Sequence, residues 1–257
     1  MNIYNLIIEI TRRCNMTCAH CLRGDAENID ISDQVLHHIG RVFRNTHIAD
    51  LCIGGGEPSL AVDRLRRLKH IFIWNYIDVG NLYCVTNTKN VPDEFLELIA
   101  EWFRICTDND ISALTYSNDQ FHDKPCYSEL EDRWMMYSGM PIQAHNLQNP
   151  SCENIIRMGR GAAIGGRDLE ICPFELDTYD DNEIQIQEGE IYINAKGDVF
   201  PNCDLSYEFM DTANYLKLGN VCDPAFNLVE AIHDFNERID YQPITVNEFQ
   251  NELEPCI

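Results

Sequence analysis

Cys14, Cys18 and Cys21 stand close together in Thr11-Arg12-Arg13-Cys14-Asn15-Met16-Thr17-Cys18-Ala19-His20-Cys21, just past an apolar segment. The spacing is Cys-x3-Cys-x2-Cys. Three thiolates on one short loop can hold three corners of a 4Fe–4S cube and leave the fourth iron without a protein ligand. An iron left open in this way is a reactive site. The same residues admit two plainer readings. With His20 they could form a structural zinc site, although such sites usually draw ligands from two separated pairs. They could also be unrelated thiols.

A second candidate is Gly54-Gly55-Gly56-Glu57-Pro58. Glycines there let the backbone approach a ligand closely, and their exposed carbonyls can accept hydrogen bonds from an ammonium. Taken alone, such a run is a tight strand-to-helix turn.

The elements that must position these groups follow from periodicity. Ile3 to Ile10 reads as a buried strand, and Ser32 as the cap of a helix with apolar face Val35, Leu36, Ile39, Val42 and Phe43. Ala49 to Ile53 is a second strand, followed by a helical stripe at Val62, Leu65, Leu68 and Phe72. Val79 to Val85 is a third strand, and Pro92 opens a helix carrying Phe95, Leu98, Ile99 and Trp102. Ile111 to Thr115, Ile142 to Leu147 and Ile155 to Met158 read as strands four, five and six, with a helix over Ser128 to Met136. Strand–helix units repeated roughly every 30 residues imply right-handed βαβ crossovers and a parallel sheet. Six units do not close an eight-stranded barrel, so the expected fold is α/β: a partial (β/α)6 barrel with chemistry at the C-terminal strand ends.

The pattern changes near residue 170. Glu183 to Gln187 and Glu190 to Asn194 alternate around a turn and read as a hairpin. Leu216 to Val221 is a short strand and Leu228 to Ile239 an amphipathic helix. The expected organisation is a core over 1–170 and a small α+β extension over 171–257.

The chain has 257 residues, 12 of them cysteine, and a formal net charge of −23. No apolar run reaches membrane-span length, and Arg12-Arg13 is followed by polar residues rather than a signal core. The chain therefore reads as cytoplasmic, with cysteines serving as metal ligands or buried thiols rather than disulfides. Such a charge disfavours nucleic-acid backbones and leaves a basic partner or plain solubility.

The cysteine triplet followed one unit later by Gly-Gly-Glu-Pro resembles the radical S-adenosylmethionine (SAM) superfamily. The resemblance implies that Cys14, Cys18 and Cys21 hold a 4Fe–4S cluster, that SAM chelates the open iron, and that Gly55, Gly56 and Glu57 hold its amino group. It implies reductive cleavage of SAM to methionine and a 5′-deoxyadenosyl radical, which abstracts hydrogen from a substrate. A reductant such as flavodoxin or ferredoxin is implied as a partner. Thr86-Asn87-Thr88 resembles the superfamily's Thr-Asn-Gly, with threonine in place of glycine, and puts Asn87 at the cofactor. Ser117 and Asp119 resemble a Ser-x-Asp segment that contacts the SAM ribose. Gly159-Arg160-Gly161 resembles a Gly-Arg-Ala element, with Arg160 near the SAM carboxylate. His122 could be a substrate-side acid or base, and His145-Asn146 could also reach the pocket.

Ile191 to Cys203 with Leu218-Gly219-Asn220-Val221 resembles the start of a SPASM or twitch domain. That implies an auxiliary 4Fe–4S site at Cys172, Cys203 and Cys222, with Cys152 or Cys256 as a fourth ligand. The compact Cys-x2-Cys-x5-Cys run of a full SPASM domain is absent, so at most one auxiliary cluster is expected. A peptide or protein substrate is the first expectation. The alternatives are an activase or small-molecule enzyme of the same superfamily, or a non-catalytic iron–sulfur or zinc protein.

Overall fold

The computed structural model describes residues 1–118, 121–122, 127–145, 155–179, 183–246 and 254–255. β1 (Asn2–Thr11) carries Ile3, Leu6, Ile8 and Ile10, all at most 1% exposed, so it is buried on both faces, as a central parallel strand must be. Ser32 accepts a hydrogen bond from Val35 N at 3.2 Å and starts α1 (Asp33–Val42). There follow β2 (His47–Gly55), α2 (Val62–Trp74), β3 (Asp78–Thr86), α3 (Asp93–Ile105), β4 (Ala113–Ser117), α4 (Tyr127–Ser138) and β5 (Gln143–His145). β1 to β5 lie in sequence order and every neighbouring pair is parallel. The register aligns Ile7, Cys52 and Tyr83 across three strands, and Asn5, Asp50 and Asn81 one layer lower. Edge-to-face contacts of Phe72 with Trp102 and of Phe103 with Trp134 join α2 to α3 and α3 to α4.

Three expectations change. Strand four begins at Ala113, because Ile111 is exposed and its amide is tied to Asn81 Oδ1 at 3.2 Å. The expected sixth strand is a single bridge, Ile156 to Arg167, outside the parallel sheet. The expected hairpin is absent. β6 (Leu169–Ile171) and β7 (Glu175–Tyr179) precede β8 (Glu183–Glu188) and β9 (Ile191–Ile193), which both run parallel to β1 along its free edge. β8 pairs antiparallel with β7, and β9 with β10 (Asp198–Phe200). Gly189, at φ +101°, lets the chain bulge between β8 and β9 without reversing. Alternation reported the strands correctly but carries no information on direction.

β11 (Gly219–Asn220) completes the edge beyond β10, so among the described residues one sheet runs β11-β10-β9-β1-β2-β3-β4-β5. α5 (Tyr207–Thr212) and α6 (Leu228–Arg238) follow β10 and β11 respectively. β12 (Ile244–Val246) pairs antiparallel with β6 and with β13 (Glu254–Pro255) in a separate sheet. Among the described residues no helix is long and apolar enough to cross a membrane.

Candidate active site

The cysteine loop leaves the C-terminal end of β1 and the glycine run leaves the C-terminal end of β2, so strand pairing brings them together. Gly56 N bonds Thr11 O and Glu57 N bonds Arg13 O, each at 2.8 Å, which extends the pairing past the strands. A Cβ on Gly55 would stand 2.2 Å from Thr11 O, and one on Gly56 2.2 Å from Arg13 O. Both glycines are therefore demanded by close backbone approach to the cysteine loop. Cys14, Cys18 and Cys21 line one small pocket, of about 50 Å³, with Gly55, Gly56, Arg12, Arg23, Arg160 and Tyr207.

Glu57 turns away from this pocket. Its carboxylate is buried and accepts from Ser59 N at 3.2 Å, Thr86 Oγ1 at 2.8 Å and Asn87 N at 2.8 Å. Burial pushes its pKa up, against those three donors. Its geometry is that of a tie between the ends of β2 and β3. The residue so tied, Asn87, reaches the site: its Nδ2 donates to Asn15 Oδ1 at 2.8 Å and to Cys14 Sγ at 3.7 Å. Thr88, where the superfamily motif has glycine, adopts φ +67°, a rare backbone for a β-branched residue. Bonds from Thr88 N to Thr86 Oγ1 at 3.1 Å and from Thr88 Oγ1 to Asn87 O at 2.6 Å hold it there.

Arg160 grips the loop from the other side. Its Nε donates to Cys18 O at 2.9 Å, its backbone N to Cys21 O at 3.0 Å, and its Nη1 pairs with Asp25 at 2.7 Å. Gly159, at φ +52°, leaves room for Leu22 O, which would stand 2.4 Å from a Cβ. His122 lies edge-on to His20 at 5.2 Å between ring centroids, and Phe121 stacks on His20 at 4.5 Å. Ser117 ends β4 and its carbonyl accepts from Tyr127 Oη at 3.4 Å, and it is not among the residues lining the pocket. Asp119, Asn146, Cys152 and Cys256 lie outside the described residues, as does the side chain of His145.

Under the pocket lies a charged layer that sequence reasoning missed. Glu9 Oε1 accepts from Arg12 Nε and from Ala195 N, each at 2.9 Å, and Glu9 Oε2 accepts from Tyr192 Oη. The Arg12 guanidinium sits 4.4 Å from the centre of the Tyr207 ring, and that of Arg23 4.8 Å from Tyr192. Arg12 Nη2 and Tyr207 Oη are buried with no hydrogen-bond partner. The Arg12-Arg13 pair beside Cys14 was visible in the sequence, but nothing there marked Tyr207, which is 186 positions from Cys21 and reaches it only through the fold.

Three thiols, a sulfur-directed amide and buried cations fit an anionic iron–sulfur group. Among the described residues no three His, Cys, Asp or Glu side chains are grouped to hold one metal ion. The extension's thiols differ. Cys203 lines another cavity with Cys52, Asp50 and Glu190; Cys172 is exposed; Cys222 lies beside Arg41 and Asp198.

No family model matches the chain. Over 106 residues it is 27% identical to the glutamate 2,3-aminomutase of Clostridioides difficile, covering 38% of this chain and 25% of that protein. Over 63 residues it is 35% identical to an Archaeoglobus fulgidus protein named "Probable GTP 3′,8-cyclase", covering 24% of this chain and 21% of that protein. The matches thus span about a quarter or less of those relatives. These similarities support the radical SAM superfamily. Among solved structures, hexahistidine-tagged anSMEcpe with bound AdoMet superposes at TM-score 0.58 and 14% identity, covering 93% of this chain and 82% of that one. Native anSMEcpe with bound AdoMet and the Cp18Cys peptide gives 0.55 at 13% identity, covering 94% and 82%. At such identity the likeness concerns the fold: a mixed α/β architecture built on a parallel sheet.

Proposed function

We propose that this chain is a radical SAM enzyme acting on a peptide or protein. The observation that carries the reading is the single pocket shared by Cys14, Cys18, Cys21, Gly55 and Gly56. The three cysteines would hold a 4Fe–4S cluster, with SAM against Gly55, Gly56 and Asn87 and beside Arg160, Ser117 and Asp119. A cluster and SAM held there would supply the one-electron chemistry needed to remove hydrogen from an unactivated C–H bond. The chain's own part is positional. Asn87 directs an N–H at Cys14, Arg160 fixes the carbonyls of Cys18 and Cys21, and Glu57 holds Asn87 in place. His122, beside His20 on the cysteine loop, is the candidate acid or base on the substrate side.

The peptide substrate is supported by the SPASM-like sequence of the extension and by a structural neighbour that binds a peptide. A second reading, a small-molecule substrate, is favoured by the names of both sequence relatives, a glutamate aminomutase and a GTP cyclase. Division into a 1–170 core and a 171–257 twitch-like extension, a flavodoxin or ferredoxin as reductant, and a cytoplasmic location complete the proposal. Anaerobic reconstitution with iron and sulfide, then addition of SAM and dithionite, should yield 5′-deoxyadenosine and methionine. A reconstituted protein that leaves SAM intact would refute the proposal. Deuterium appearing in 5′-deoxyadenosine from a labelled peptide, rather than from labelled small metabolites, would decide between the two substrates.

A further inference from the structure

Arg12 is 0% and Tyr207 3% exposed, and both line the pocket of Cys14, Cys18 and Cys21. Arg12 Nε is engaged by Glu9 at 2.9 Å, and Nη1 by Glu27 at 3.1 Å and Asp211 at 3.5 Å. Nη2 alone is left, and Tyr207 Oη is left beside it. A buried donor without an acceptor costs about 1–3 kcal/mol. Two such donors in one pocket are accounted for if an electron-rich group completes them. Glu9 is not that group, because its carboxylate bonds Arg12 through Nε, Ala195 and Tyr192, and neither Arg12 Nη2 nor Tyr207 Oη reaches it.

Resting on the radical SAM reading, we propose that Tyr207 Oη and Arg12 Nη2 donate hydrogen bonds to the sulfur of the iron–sulfur group on its Cys21 side. Tyr207, from the C-terminal extension, is then a positioning residue for the cluster. Tyr207 N donates to Arg23 O at 3.0 Å, two residues past Cys21, and Tyr207 and Cys21 line the same pocket. Of the other two arginines lining the pocket, Arg160 is committed to Cys18 O and Asp25, and Arg23 donates from Nη1 to Leu205 O at 2.7 Å and lies over the Tyr192 ring. The extension thereby tunes the first cluster, whether or not it binds one of its own.

Donors to cluster sulfur favour the reduced, more negative state. Tyr207→Phe keeps the ring against Arg12 and removes one donor. In an EPR-monitored potentiometric titration of the reconstituted full chain, the reduced-to-oxidised ratio at fixed potential should fall about fivefold, the order of one hydrogen bond, or about 40 mV for a one-electron couple. The thermal midpoint of the apoprotein should hold or rise, since the hydroxyl is unsatisfied there, while that of the loaded protein falls. An unchanged potential in a fully loaded variant overturns the proposal, as does equal destabilisation of both forms. If Tyr207→Phe does not fold, 3,5-difluorotyrosine at position 207 provides the second arm. A stronger donor should shift the potential upward, and no shift overturns the proposal. A parent chain that takes up no cluster defeats the radical SAM reading itself and this proposal with it.

Discussion

The chain holds two cysteine trios, and the fold treats them differently. Cys14, Cys18 and Cys21 share one pocket, clamped by Arg160 at the Cys18 carbonyl (2.9 Å) and the Cys21 carbonyl (3.0 Å) and capped by Asn87 at Cys14 Sγ (3.7 Å). For Cys172, Cys203 and Cys222 the surroundings share no such clamp: Cys172 is exposed just past β6, Cys203 lines a cavity with Cys52, and Cys222 lies near Arg41 and Asp198. Spacing within one loop fixes proximity, because a few residues cannot separate far. Spacing across 50 residues fixes nothing until strand direction is known, and it was direction that the alternating pattern around Gly189 failed to report.

The largest effect should separate the trios outright. Replacing Cys14, Cys18 and Cys21 together by Ala should abolish reductive SAM cleavage and leave the reconstituted chain with almost no iron. Replacing Cys172, Cys203 and Cys222 together by Ala should leave about four irons per chain, one cube, with SAM cleavage intact. A parent that loads about eight irons, falling to about four in the second variant, would break the comparison and restore an auxiliary cluster in the extension.

What the sequence made legible follows the range of the interactions. Ser32 as a cap, the apolar stripes of α1 to α3 and the buried β1 are local, and all were readable. The meeting of the cysteine and glycine loops was readable too, because consecutive βα units place successive strand ends side by side. The roles of Glu57 and Arg160 were not. A carboxylate that ties β2 to β3 and an arginine that bonds carbonyls of residues 18 and 21 depend on partners far along the chain. Nor was the Glu9–Arg12–Tyr207 layer, whose members come from opposite ends of the sequence.

A smaller effect should sharpen the account of why the first trio holds together. Arg160→Met removes the Nε bond to Cys18 O and the pair with Asp25, and leaves the backbone bond to Cys21. Losing a charge-assisted bond costs about 1.5 kcal/mol, so loss of iron–sulfur absorbance under a chelator should quicken about tenfold. Arg157→Met removes only a half-exposed pair with Asp168 at 3.4 Å, worth about 0–1 kcal/mol, and should release iron at the parent rate. Equal release from both variants would mean that the clamp does not hold the loop.

The smallest effect concerns the second trio alone. In the apoprotein under anaerobic, non-denaturing conditions, peptide-level mass spectrometry after iodoacetamide treatment should find Cys172 labelled first, because it is exposed. Cys203 should lag by at least tenfold, because burial pushes its thiol well above the usual range and Asp204 and Glu190 add to the shift; only the thiolate reacts. Its cavity neighbour Cys52, pushed up to about 12 by burial and then by Glu190, should behave alike. Below a raised pKa the thiolate fraction grows about tenfold per pH unit, so labelling of Cys203 and Cys52 should still be rising at pH 10. Labelling of Cys203 at the rate of Cys172 would place its sulfur at the surface rather than in the cavity, and would return it to Cys172 as a candidate partner.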